Sequence, residues 1–318
     1  MGHFFHAVGV FFHHLAAVQW QFLGYAVACH VVKLLFRAGA WRAIINAAYP
    51  EARLKFRSAL GAYIAGVGVN SIVPARGGDV VKLYLVRHRI PGSSYATLTP
   101  TLVVETMFDF VTAGALILWA LTSGVLPTHQ IYSRTPSVDW KFFLRHEHFT
   151  VVLLIALAVG ALVAVFWVRL RVRKFREHVA QGFAILRDRP RFLKRVILPQ
   201  AISWFFRIGS LYFFLKAFGV PASIHNALLA QVVDSLATLF PATPGGAGTK
   251  QGLTEILFQG RGVSNTLLLA FSVGMNIAIV IVNLVMGLIA IGLMAKTLSF
   301  KKLRLASRGD QSPQEQAP

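Results

Sequence analysis

Apolar residues in this chain gather in long continuous blocks, not at the three-to-four-residue spacing of a soluble amphipathic helix. The blocks Leu15 to Phe36, Tyr95 to Ser123, Phe149 to Val168, Val196 to Gly219 and Thr266 to Met294 each provide the roughly 20 residues that a helix needs to cross a hydrocarbon core. Two further regions are apolar but broken. The first pairs Ser58 to Val73 with Asp79 to Arg89, around NSIVPARGGDVVK (residues 70 to 82). The second pairs Ser223 to Phe240 with a short apolar helix ending near Gln259, around PATPGGAGTKQ (residues 241 to 251). At ~1.5 Å per residue the first pair reaches only about 24 and 17 Å, short of a ~30 Å core.

The charges between the blocks set a topology. Arg37 to Arg57, Arg169 to Arg195 and Lys296 to Arg308 are basic and are expected in the cytoplasm, while Gly124 to His148 carries mixed charge and two prolines and is expected outside. With those assignments each broken pair must enter and leave on one side. The predicted fold is therefore an all-α integral membrane protein, an inverted-repeat helical bundle with two re-entrant, broken-helix hairpins. A first repeat covers residues 15 to 123, a linking span 149 to 168, and a second repeat 196 to 295. Residues 1 to 14 form an N-terminal segment expected outside, and 296 to 318 a basic, then disordered, cytoplasmic tail.

Composition agrees. The chain is 55% hydrophobic and only 14% charged, against about 25% charged in soluble domains, which excludes a cytosolic or secreted globular enzyme. The net charge of +20 lies in linkers and tail without a nucleic-acid-binding motif, so it points to anionic lipid headgroups and not to nucleic acid. Cys29 is the single cysteine and lies in the first span, leaving no disulfide or cysteine metal site. Met1 to Leu15 lacks Lys and Arg, so the first helix reads as retained and not as a signal peptide.

Candidate chemistry sits at the breaks. Pro74 ends the incoming helix, Gly77 and Gly78 permit close backbone approach, and Asp79 stands where an N-cap would be, one turn before Lys82. With Arg76, that exposed helix start offers an anion site suited to a lipid phosphate; alternatively, Arg76, Asp79 and Lys82 only neutralise one another. At the second break Pro241, Pro244, Gly245, Gly246 and Gly248 open the turn before Lys250 and Gln251. Thr249 before Lys250 and Gln251 after it exclude a Walker A loop. Glu105 and Asp109 are four apart in an apolar helix and share a face; Arg76, Lys82 or Lys250 would offset their cost, as a structural ion pair or as a polar lining. Asp234, Glu255 and Arg207 are further intramembrane candidates, read first as structural. His3, His6, His13 and His14 read as an interfacial helix end and not a metal site, and Trp20, Trp41, Trp140 and Trp167 as an aromatic belt.

Over roughly residues 15 to 295 the chain resembles the lysylphosphatidylglycerol synthase transmembrane-region family, also called flippase-like or UPF0104 proteins. The resemblance rests on RAGAWRAII, NSIVPARGGDVVKLYLVRHR, ETMFD and PATPGGAGTKQ. Asn70, Pro74, Arg76, Gly78, Asp79 and Lys82 match its first motif, Pro241, Pro244, Gly245, Gly246 and Gly248 its second, and Glu105 and Asp109 its acidic helix. The sequence departs from that pattern at Thr106, Gln251 and Asn276, where charged residues stand in the family. The resemblance implies a bacterial inner-membrane protein that moves or binds a phospholipid, a polyprenyl-linked lipid or a hopanoid-type lipid. No cofactor is implied, and with no synthase domain in the chain, aminoacyl transfer is not expected of it. The expected function is lipid translocation, with Asn70, Arg76, Asp79, Lys82, Glu105, Asp109, Lys250 and Gln251 binding a phosphate-bearing headgroup. The competing reading is a non-transporting partner that recruits a lipid-modifying glycosyltransferase through its basic face; an embedded enzyme using Glu105 and Asp109 as acid and base is a third.

Overall fold

The computed structural model describes residues 17–73, 76–123, 173–239, 248–258 and 262–297. Among these every regular element is helical: α1 (Trp20–Ala48), α2 (Phe56–Asn70), α3 (Gly77–Arg87), α4 (Tyr95–Thr122), α5 (Arg173–Gly182), α6 (Arg189–Ala217), α7 (Ile224–Leu239), α8 (Thr249–Phe258) and α9 (Asn265–Thr297). Four of them, α1, α4, α6 and α9, are long and apolar enough to cross a membrane. The expected linking span 149 to 168, the external loop, the N-terminal histidines and the C-terminal tail lie outside the described residues.

Local chemistry explains the ends. Pro50 stops α1 two residues early, as the restriction before proline requires. The Ser223 hydroxyl caps α7 by accepting from Asn226 N at 3.0 Å. Gly219, at φ +73, closes α6 with Val220 N bonded to the Leu215 carbonyl at 3.0 Å, a Schellman arrangement. Pro199 cannot donate to the turn before it, and Leu193–Ile197 there is π-helical.

α1 and α6 pack along their lengths and run antiparallel: Gln19 N donates to Ala217 O, the Ser210 hydroxyl to Ala26 O, and Phe36 stacks on Phe206. α2 packs on α3 and α9, and α7 on α6, α8 and α4. Three apolar clusters result among the described residues, one around Trp41, Ile45, Tyr63, Val86 and Leu98, one around Phe214, Leu229, Phe258 and Phe271, and a small one around Ile44, Val104, Ile185 and Val196. Trp41 is therefore core, fully buried with its indole N–H on the Thr101 hydroxyl at 3.2 Å, and not part of an aromatic belt; Trp20 is exposed as a belt residue would be. Val103, Met107, Phe110, Val111 and Leu118 line the outer face of α4, and Ile277, Ile281, Val285 and Leu288 that of α9. Such apolar stripes are unfavourable in water and neutral in lipid.

Candidate functional site, a polar tract within the helices

α1 does not stop at Phe36. Its apolar wall continues to Ala48, which carries Arg37 into the bundle and out of the cytoplasmic loop expected for it. Arg37 is buried, and its guanidinium forks onto Asp109, Nη1 to Oδ1 at 3.0 Å and Nη2 to Oδ2 at 2.6 Å, while Nη2 also pairs with Glu105. Its Nε donates to the Tyr63 hydroxyl at 2.6 Å, and that hydroxyl donates to Glu105 Oε1 at 2.9 Å. Helical spacing puts Glu105 and Asp109 on one face of α4, as expected, but their cation is Arg37 and not Arg76, Lys82 or Lys250. Desolvated carboxylates need such a partner.

A second network is also built around an arginine and a carboxylate. Arg207 on α6 pairs with Asp234 on α7 at 2.5 Å and donates to Gln231 Oε1 at 2.6 Å; Lys250 on α8 reaches the other Asp234 oxygen at 2.6 Å. Trp204 links the two. Its indole N–H donates to Asp109 Oδ1 at 2.8 Å, and its ring lies 5.0 Å beneath the Arg207 guanidinium.

From α1 a directional chain runs to α9 and the end of α2. Lys33 sits at the midpoint of α1 and its ammonium donates to His30 Nδ1 at 3.1 Å, which makes His30 Nε2 the protonated nitrogen that bonds Asn283 Oδ1 at 2.8 Å. The Asn283 amide then donates to the Ser71 hydroxyl at 3.1 Å. Lys33 lies within electrostatic reach of Arg37, Asp109, Arg207 and Asp234, yet among the described residues no carboxylate pairs with it. Among the described residues the tract therefore sets four basic side chains, Lys33, Arg37, Arg207 and Lys250, against three carboxylates, Glu105, Asp109 and Asp234.

The first break is held tightly. Asn70 Oδ1 accepts from Gly78 N at 2.7 Å, and Asn70 Nδ2 donates to Asp79 at 3.3 Å. Lys82 pairs with Asp79 at 3.1 Å and lies over the Tyr63 ring at 4.2 Å, joining this turn to the Arg37 network. α2 and α3 approach so closely that a Cβ on Gly78 would collide with the Gly66 carbonyl, and one on Gly77 would meet Val73 at 2.6 Å. Arg76 is exposed and left-handed (φ 59) and is itself the N-cap residue; Asp79 sits in the first turn and not at the cap. Pro74 lies outside the described residues, as do Pro241, Pro244, Gly245 and Gly246. At the second break Gly248 (φ +85) precedes α8, and its N–H is capped by Gln251 Oε1 at 2.6 Å, one half of a capping box. Gln251 thus supplies the acceptor for which a Glu would otherwise serve. Among the described residues Thr106 bonds only to carbonyls of its own helix, and Glu255 is exposed beside Asn265.

Sequence reasoning therefore located Glu105, Asp109, Asp234, Arg207 and Lys250 as intramembrane groups and missed His30, Lys33, Arg37, Trp204, Gln231 and Gln200, whose amide donates to the Glu105 carbonyl at 3.0 Å. A signal existed: His30, Lys33 and Arg37 recur at helical spacing on one face of α1.

The family described as "Lysylphosphatidylglycerol synthase TM region" matches residues 5–287. The chain is also similar to the UPF0104 membrane protein MJ1078 of Methanocaldococcus jannaschii, 26% identical over 191 residues that cover 57% of this chain and 74% of that protein. No solved structure matches.

Proposed function

The chain belongs to the lysylphosphatidylglycerol synthase TM region family, a multi-pass membrane family, and from that premise we propose that it is a lipid translocase that receives a phosphate-bearing headgroup in the tract between its two halves. The observation that carries this reading is Lys33, a mid-helix amine that among the described residues has no carboxylate partner beside two ion-paired networks. An intramembrane charge of that kind is costly unless a mobile anion compensates it. A lipid phosphate supplies that anion, and Arg76 at the exposed turn is a further cation for its approach.

The same reading makes α2–α3 and α7–α8 re-entrant hairpins of an inverted repeat. In support, α2 and α3 have 15 and 11 residues, or about 23 and 17 Å, less than a crossing. The packing partners also correspond when α1, α2, α3 and α4 are exchanged for α6, α7, α8 and α9: α2 on α9 becomes α7 on α4, and α1 on α2 becomes α6 on α7. Rocking of one repeat against the other would then expose the tract alternately to the two leaflets.

The test is lipid movement between leaflets of proteoliposomes, read with fluorescent phosphatidylglycerol and with a polyprenyl phosphate. Wild type moves one of them faster than empty liposomes do, and Lys33→Met slows that movement at least tenfold while keeping its thermal midpoint. Wild-type rates equal to those of empty liposomes for both lipids would remove the translocase reading. Equal rates for wild type and Lys33→Met would remove Lys33 from it.

A further inference from the structure

A cavity of about 500 Å³ opens where the C-terminal half of α1 meets the start of α6. It is separate from the polar tract. None of its lining residues belongs to the tract, and Gly39 and Leu35, which line it, each stand two residues from Arg37, about 200° around the helix. The volume falls in the range of small-ligand sites.

Its lining divides by chemistry. Phe36, Phe56 and Leu35 form an apolar wall, whereas Arg42, Arg191, Lys194 and Arg195 supply four cations, and no described lining residue is a carboxylate. Arg42 is anchored by its Nε to the Leu54 carbonyl at 2.7 Å, while Arg191, Lys194 and Arg195 are exposed and make no ion pair among the described residues. α1 and α6 have 29 residues each, about 44 Å, so their paired ends extend beyond a ~30 Å core into the headgroup layer. The apolar wall is the deeper part on α1 and the cations the shallower, which is the order of acyl chain and phosphate in a phospholipid.

We infer that this cavity binds one anionic phospholipid, its phosphodiester held among Arg42, Arg191, Lys194 and Arg195 and its acyl chain laid on Phe36 and Phe56. Arginine-rich pockets between membrane helices suit a phosphate because planar guanidinium groups hold it bidentately. A soluble anion would use the cations and leave the apolar wall exposed. Bound there, the lipid bridges α1 to α6 across the end of the pair. Binding here is independent of whether the chain moves lipid.

The experiment is native mass spectrometry of the full detergent-purified chain titrated with palmitoyl-oleoyl phosphatidylglycerol, with phosphatidylcholine as the neutral comparison and inorganic phosphate as competitor. Two variants attack the site differently. Arg191→Gln/Lys194→Gln/Arg195→Gln removes charge from exposed positions, and Gly39→Leu fills the cavity with the charges kept, since a Cβ at Gly39 has its nearest neighbour at 3.9 Å, on Phe56. Wild type should retain one phosphatidylglycerol that both variants bind at least about tenfold more weakly, that phosphatidylcholine does not replace, and that millimolar phosphate does not displace. Lipid movement between leaflets is read separately in proteoliposomes, so failure here and failure of the translocase reading are separable. The inference is overturned if either variant binds phosphatidylglycerol like wild type, if the two lipids bind equally, or if inorganic phosphate displaces the lipid.

Discussion

Replacing Arg37 by Met should unfold the bundle more readily than any other single change in the tract. The side chain holds Asp109 by bonds of 3.0 and 2.6 Å, pairs with Glu105 and engages the Tyr63 hydroxyl at 2.6 Å, all out of water. A pair of unit charges about 4 Å apart at an effective dielectric near 20 interacts by about 4 kcal/mol. Removing one partner of a buried pair strands the other, at roughly 3–5 kcal/mol; here two carboxylates are stranded, and proton uptake by one of them limits the loss to about that range. The thermal midpoint of the detergent-purified protein, followed by tryptophan fluorescence, should fall on the order of 10 °C. The control is Arg37→Met/Glu105→Gln/Asp109→Asn, which removes the charges together and should recover more than half of the drop. A midpoint for Arg37→Met within about 1 °C of wild type, or a triple variant as unstable as the single one, would refute the claim that stranded carboxylates are the cost.

Three further outcomes follow from the packing. Gly68→Ala places a Cβ 2.8 Å from both Gly287 Cα and the Asn283 carbonyl, so α2 and α9 must separate; about 1–3 kcal/mol should be lost, and an unchanged midpoint would mean that this crossing is looser than described. Asn70→Ala leaves Gly78 N without its acceptor, with an expected cost of about 1–3 kcal/mol in the same assay; a neutral result would show that the turn does not depend on this bond. At the α8 cap, midpoints should rank Gln251→Glu at or above wild type, because a negative acceptor favours a helix N-terminus by about 0.3–1 kcal/mol, and Gln251→Ala below it. The reverse order would discard the capping role.

The helices themselves were legible in the residue order. Block length alone marks α1, α4, α6 and α9, because a span is a local property of apolar composition, and the Pro and Gly breaks mark the shorter α2 and α3 because backbone restrictions act within a few residues. Glu105 and Asp109 could be placed on one face for the same reason. Their partner could not. A charge following an apolar run ordinarily marks its end, which places Arg37 in a loop, and only the packing of α1 against α4 supplies the carboxylates that let the helix carry it inward. Trp41, at an expected span end, is core because that same extension of α1 buries it. Lys250 meeting Asp234 and Trp204 joining the two networks are likewise contacts between residues far apart in the chain. Ion pairing and burial depend on which surfaces meet, and that is a property of the assembled bundle, not of any single segment.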